Sequence, residues 1–324
     1  MICALCLGGI AGCALAADRP VVLVVMSYEA DYPWCVDTLE GIKAVLADAC
    51  RIETVYLNTK TDPDGGPARA EAAWKRYGAI SPAGVIAADD NAQSMFVVPY
   101  LREKVEIPVM FCGVNGDPED YGYPADNVSG ILERFHIAET IAFSQQLYPA
   151  IESVGFIIKA GPTAEMIRRQ VERERHTYPA RVRPDDFITP RTLDGALRSA
   201  ADLGKRCDLL FTSALHGITD RDGRHLSEAE AIPRVAGAFP GPVTGNAVSV
   251  RHGLLCSVAH TGQEQGETAA IMLKKAMSGT PVADLPITRN WQGMRVINVT
   301  VMREMNLKPS PSVLLGTEII RTEP

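Results

Sequence analysis

Residues 83–118 read AGVIAADDNAQSMFVVPYLREKVEIPVMFCGVNGDP. Two apolar runs, 84–88 and 109–114, are too short for globular helices and carry β-branched residues, so they read as strands. Between them, residues 91–104 place Met95, Val98 and Leu101 at helical spacing. Strand, helix and strand make one βαβ unit, whose strands run parallel and are covered on both faces. The polar residues fall just past the strands: Asp89, Asp90 and Asn91 after the first, Asn115 and Asp117 after the second. In open α/β sheets, ligands sit beyond the carboxyl ends of the strands. A helix cap would need only one of these side chains, so either Asp90 or Asn91 alone suffices for that bland role.

Toward the N-terminus, residues 20–27 (PVVLVVMS) read as a central parallel strand, followed by a helix to about residue 49, a strand at 51–57 and a helix at 68–80. Toward the C-terminus, residues 127–132 form an expected fifth strand, after which the pattern restarts. Helices are expected at 138–147, 163–176 (capped by Thr163), 193–203 (closed by Gly204) and 227–236. Strands are expected at 154–158, 187–188, 208–212 and 242–244. Two successive βα sets predict an α/β fold of two Rossmann-like lobes with parallel sheets. A strand-like run at 253–259 leads to a helix at 262–277, ended by Gly279, and a tail from Pro281. If that helix completes the first lobe, the chain must cross back. The expected division is 18–133 with 260–279 for one lobe, and 134–259 with 280–324 for the other.

The chain has 324 residues, 46% apolar and 22% charged, with a formal charge of −7. That balance, with no Lys/Arg cluster, argues against a nucleic-acid partner. Residues 2–16 carry no charge, are too few to span a bilayer and end in Ala14-Leu15-Ala16, a small-x-small pattern. They read as a signal peptide over 1–17 that sends the chain to the periplasm. Ile10-Ala11-Gly12-Cys13 supports a competing reading, a lipobox with lipid on Cys13. Past this leader five cysteines remain, Cys35, Cys50, Cys112, Cys207 and Cys256, an odd number that leaves at least one unpaired within a chain. Cys112 and Cys256 lie in apolar runs, as small core residues do.

Tyr28, Tyr32 and Trp34 crowd the loop after the first strand, dense for a chain with 6% aromatics, and can wall a flat or cationic ligand. The alternative for Trp34 is packing under its own helix. The second lobe offers Lys159 to Thr163, Ser213 to His216, and Gly245-Asn246 at matching strand ends. His216 and His260 lie near strand ends, where a histidine is as readily structural as functional. No Gly-x-Ser-x-Gly, His-Glu-x-x-His or phosphate loop occurs, and no cofactor or metal is expected. Asp220-Arg221-Asp222-Gly223 hints at a calcium loop but would put Ile218 and Ala229 at ligand positions. The charge pattern suits a zwitterion: Asp89 and Asp90 for an ammonium, and helix-start amides near Ser27 or Ser213, with Lys159, for a carboxylate.

Ser27-Tyr28, Tyr32-Pro33-Trp34 and Glu40-Gly41-Ile42, then AADDNAQ at 87–93, VPYL at 98–101, IPVMFCGVN at 107–115, YGYP at 121–124 and Gln263-x-Gln265-Gly266 together carry a resemblance. They resemble the ABC-type substrate-binding proteins of the tryptophan/tyrosine-binding-like family, which have the type I periplasmic binding fold with a three-crossover hinge. The resemblance implies a monomeric, non-enzymatic protein that closes two lobes on a small molecule and delivers it to an ABC permease. Some relatives instead feed a membrane receptor as sensors. The contacts it implies are Ser27, Tyr28, Asp89, Asp90, Asn91, Gly113, Asn115, Ser213, His216, Asn246 and His260, joined by Trp34 and Lys159 from the reading above. Gly116 stands where the family often has a bulky residue, and SALHGIT (213–219) replaces an Asn-rich segment; both departures enlarge or re-shape the pocket, and an amino acid, possibly aromatic, is the leading ligand that the resemblance implies. A hydrolase using Asp89, Asp90 and His260 is the remote alternative; it lacks any nucleophile–base spacing.

Overall fold

A computed structural model describes residues 19–322; the leader reading on 1–17 and Cys13 lies outside the described residues. The first sheet is built on β1 (Val21–Met26), an apolar run whose odd and even side chains feed different cores. Val22, Val24 and Met26 face α1 (Pro33–Leu46), while Leu23 and Val25 face the other layer. β1 pairs in parallel with β2 (Arg51–Tyr56) on one side and β3 (Gly84–Ala88) on the other. Parallel β4 (Val109–Val114) and β5 (Val128–Leu132) extend the sheet to give the order β2-β1-β3-β4-β5. The chain reverses direction across the sheet between β1 and β3. Their carboxyl ends therefore flank the crevice where such sheets take ligands.

Helix α2 (Gly66–Ile80) covers the second face together with the segment after β3. The single helix expected over 91–104 is a short turn, α3 (Asp89–Ala92), running into a π-helical stretch, Gln93–Leu101. Pro99 inside that stretch removes a backbone donor, so regular α-helical bonding cannot continue through it.

The second lobe repeats the logic. After α4 (Ile137–Leu147) come β6 (Val154–Ile158), α5 (Pro162–Glu174), β7 (Phe187–Ile188), α6 (Leu193–Leu203) and β8 (Leu209–Ser213). A small hairpin, β9 (Ile218–Thr219) and β10 (His225–Leu226), follows. Then come α7 (Glu228–Gly237), β11 (Val243–Thr244), α8 (Ala247–Arg251) and β12 (Cys256–Ala259). The parallel order is β7-β6-β8-β11, with its own reversal between β6 and β8. Two local expectations change. The α5 helix starts at Pro162 with Gly161 before it, so Thr163 lies inside rather than capping. No helix begins after Ser213; the hairpin does, and its Asp220–Gly223 turn closes on Asp220's own carboxylate and carbonyl.

Helix α9 (Gly262–Met277) returns to the first lobe and lies on α1. Contact is close because Gly41 and Gly266 carry no side chain there. A Cβ at Gly266 would come 2.0 Å from the Thr38 carbonyl oxygen. Next, β13 (Thr288–Arg289) adds to β5 in the first sheet. Residues 280–289 thus begin on the first lobe, not the second as expected, because β13's hydrogen bonds run to β5. The chain then joins the second lobe through β14 (Met294–Asn298), α10 (Val299–Glu304), α11 (Pro311–Leu314) and β15 (Glu318–Ile320). β14 pairs antiparallel with β12 and parallel with β15. The lobes are joined at residues 133–136, 260–261 and 290–293, three crossings among the described residues.

These crossings are knitted together. Asn290 exchanges hydrogen bonds with the Arg134 backbone in both directions, at 2.7 and 3.0 Å, and its amide lies 2.9 Å from His136 Nε2. Glu264 Oε1 accepts from the backbone amides of Trp291 and Gln292. The described cysteines past the leader are all buried and free.

Candidate functional site

The first-lobe strand ends are bound to one another. Ser27 ends β1 fully buried; its hydroxyl donates to the Ala88 carbonyl at 2.6 Å and accepts from the Ala92 amide at 2.8 Å. Its side chain therefore pins β1 to the start of α3. Asp90 is engaged likewise: Asn115 and Gly116 amides donate to it at 3.1 and 3.0 Å, and the Tyr121 hydroxyl at 2.7 Å. Asn91 donates to Thr59 Oγ1, and Asn115 donates to Glu133 Oε2 at 3.0 Å. Gly113 has φ +68°, a left-handed backbone, and its amide donates to Gln265 Oε1 at 2.7 Å. A Cβ there would come 2.7 Å from Asp89 Oδ1. Ser27, Asp90, Asn91 and Gly113 are thus tied to neighbouring segments at the carboxyl end of the sheet.

Asp89 is different. It is 3% exposed, its backbone has φ +68°, and one oxygen accepts a 2.8 Å hydrogen bond from Trp34 Nε1. The other oxygen, Oδ2, has no partner. Burial, then the charges of Glu133 and Asp90, push its carboxyl well above the usual carboxylate range. The Tyr28 phenol is raised by burial first, and then by the charges of Asp89, Asp90 and Glu133. None of these three carboxylates has a Lys or Arg within ion-pair distance among the described residues. Glu133 instead meets His260 Nε2 at 2.8 Å.

Trp34 does not pack merely under its own helix. Besides holding Asp89, its ring meets His260 edge-on at 5.7 Å, and Phe135 meets His260 edge-on at 5.6 Å. These three rings line a cavity of about 320 Å³, together with Phe211, Asn246 and Val248 from the second lobe. First-lobe, crossing and second-lobe residues thus share one space. Glu133, Phe135 and Phe211 were not singled out from sequence. The first two sit on a crossing whose position depends on how the lobes join, and Phe211 reads as an interior strand residue.

The second lobe's strand ends are sparsely engaged. Ser213 is fully buried, yet its hydroxyl has no partner. Asn246 caps α8 through a 2.8 Å bond from the Ser249 amide and lines the shared cavity. Lys159 lies beside the Gly217 turn and makes no ion pair among the described residues; a Cβ at Gly217 would come 3.2 Å from its ammonium. His216 is exposed in the turn before the hairpin and does not line the shared cavity. The helix-start amides expected near Ser213 for a carboxylate are absent because no helix starts there. Near Ser27 the first position of α1 is Pro33, which has no amide hydrogen.

No protein-family model matches the chain, and no curated protein sequence matches it. Solved structures do match. The chain is similar to an ABC domain in complex with L-Trp from Streptococcus pneumonia at 17% identity, over 94% of this chain and 100% of that one, with a TM-score of 0.56. It is similar to the ligand-free, open structure of a substrate binding protein with adhesive properties from Clostridium difficile at 15% identity, with the same coverage and a TM-score of 0.70. An ABC transporter periplasmic solute binding protein from Actinobacillus succinogenes with bound D-allose matches at 13% identity, over 88% of this chain and 100% of that one, with a TM-score of 0.51.

The chain has the type I periplasmic-binding-protein fold. Of the residues singled out from sequence, Trp34, Asn246 and His260 line the cavity shared by the two lobes.

Proposed function

We propose that this chain is a solute-binding protein that captures a small molecule between its lobes and hands it, unaltered, to an ABC importer in the membrane. The observation that carries the reading is the shared cavity. Trp34 from the first lobe, Phe135 and His260 from the crossings, and Phe211 and Asn246 from the second lobe all line it. A ligand touching both lobes favours the arrangement in which both sets of contacts are made.

The ligand is an amino acid or related zwitterion with a flat apolar part. Its ammonium group meets the carboxylate-rich side of Asp89 and Glu133, and its ring lies among Trp34, Phe135 and Phe211. Lys159 and Ser213 complete the site from the second lobe. The reading involves no reaction.

Isothermal titration of the refolded, ligand-stripped protein against an amino-acid panel tests this. Heat from aromatic members, with 1:1 stoichiometry, is expected. No heat from any amino acid would remove that ligand class, and native mass spectrometry of protein purified from its periplasm would then identify what is retained.

A further inference from the structure

Lys60 sits in the loop between β2 and α2, with its ammonium 4.2 Å from the Tyr28 ring centroid and 5.1 Å from that of Tyr32. The two rings meet edge-to-face at 5.4 Å and present an open corner to that charge. The loop is strapped on both sides of Lys60. Thr59 donates to the Ser27 carbonyl at 2.8 Å, and Thr61 gives its amide and hydroxyl to Glu29 at 2.9 and 2.7 Å. The backbone beneath the ammonium is thereby fixed, while the side chain itself is long and flexible.

We propose that Lys60 holds the seat of the ligand's ammonium group, and that amine-bearing ligands displace it from the Tyr28–Tyr32 corner. This rests on the solute-binding reading. Two observations converge on the seat: two aromatic faces that already hold a cation, and the unpartnered Oδ2 of Asp89, itself 3% exposed, whose charge acts on the Tyr28 phenol. An ammonium held by aromatic faces alone, one of them the exposed Tyr32, is held weakly, so a ligand that adds contacts to the second lobe can replace it. The seat selects amines, primary or alkylated, over anions of the same shape.

The test is titration of the full chain with 2-phenylethylamine, L-phenylalanine and 3-phenylpropionate, in the native protein and in Lys60→Ala. Phenylethylamine is expected to bind, with its Kd falling about two- to fivefold when Lys60 is removed, the strength of one exposed cation–π contact. Phenylpropionate is expected to gain nothing. Deleting a positive charge could help any cation through the long-range field, so the measurement is repeated in Tyr28→Leu. There the gain from Lys60→Ala should disappear, because the corner no longer exists. A gain that persists without Tyr28, or no gain at all, overturns the proposal. Phenylalanine that binds with the same Kd in the native protein and in Lys60→Ala would leave the solute-binding reading standing while this inference fell. Absence of binding by both the amine and phenylalanine would count against both.

Discussion

Beyond β1, β3 and β4, the side chains of Ser27, Asp90, Asn91 and Asn115 are held by hydrogen bonds to one another's segments. Beyond β6 and β8, Lys159 has no ion pair and the Ser213 hydroxyl has no partner. The two lobes share a topology, yet one presents a finished surface and the other an unfinished one. On the proposed reading, a ligand meeting the first lobe finds side chains already fixed by these bonds, so little ordering entropy is lost there. On the same reading, contacts from the second lobe form when that lobe is brought to the ligand and so decide closure more than initial capture.

The largest expected effect of a substitution is on the finished side. Trp34→Ala removes a wall of the shared cavity and the single donor to Asp89. It should weaken ligand binding by more than about tenfold and lower stability by about 2–3 kcal/mol in urea unfolding. Trp34→Phe, which keeps a ring but not the donor, should fall between. An alanine variant that binds normally would show that the tied-down lobe is not the one that recognises the ligand.

Asp89→Asn should separate binding from stability. The folded-state carboxyl is raised by burial and by Glu133, so the native protein holds this proton at pH values where the unfolded chain has lost it. The associated stability is complete below the unfolded pKa and is lost as pH rises through the folded one. The asparagine variant should lack that decline and be more stable than the parent at neutral pH, while binding of an ammonium ligand drops about 10- to 100-fold. Thermal melts between pH 4 and 8, paired with titration, read both. A parallel decline in parent and variant would mean Asp89 is ionised in the free protein.

On the unfinished side the effect is smaller. Ser213→Ala deletes a buried hydroxyl without a partner, so stability should hold or rise by up to about 1 kcal/mol, whereas affinity should fall about two- to tenfold if the hydroxyl meets the ligand. Unchanged affinity would leave Asn246 as the second lobe's polar contact.

The contrast also explains what was readable from sequence. Buried parallel strands announce themselves, since runs such as 21–26 and 84–88 have no other good use. The repeat of the βα pattern then implies two lobes. The pairing of β13 with β5 and of β14 with β12 was not readable, because short strands in a polar tail gain their identity only from a neighbouring edge. At the site, of the polar residues expected past the strands, Asn246 and His260 line the shared cavity. Whether each one turns inward is a matter of atomic neighbours: Ser27 and Asp90 face amides of the next segment, whereas the adjacent Asp89 takes only one donor. Lys60 gave no signal, being one exposed lysine in a loop until Thr59 and Thr61 fix its backbone beside Tyr28.

The smallest effect concerns how the two lobes are held relative to one another. Asp117, past β4, accepts from Arg173 of α5 at 2.7 and 2.8 Å, and Arg169 lies 3.5 Å away. The Arg173 hydrogen bond holds the Asp117 carboxyl below its usual range, so this contribution is present above the unfolded pKa and fades as pH falls through the folded one. The Arg173 side chain is 55% exposed, so solvent screening limits the pair to about 0.2–1 kcal/mol. A double-mutant cycle with Asp117→Asn and Arg173→Gln should return a coupling in that range in low salt, and a smaller one at 1 M, where charges are screened within about 3 Å. Repeated with ligand present, the cycle reports whether the lobes move. A coupling that changes on binding means the contact is remade as the cleft closes, and an unchanged one means that the lobes pivot about this edge.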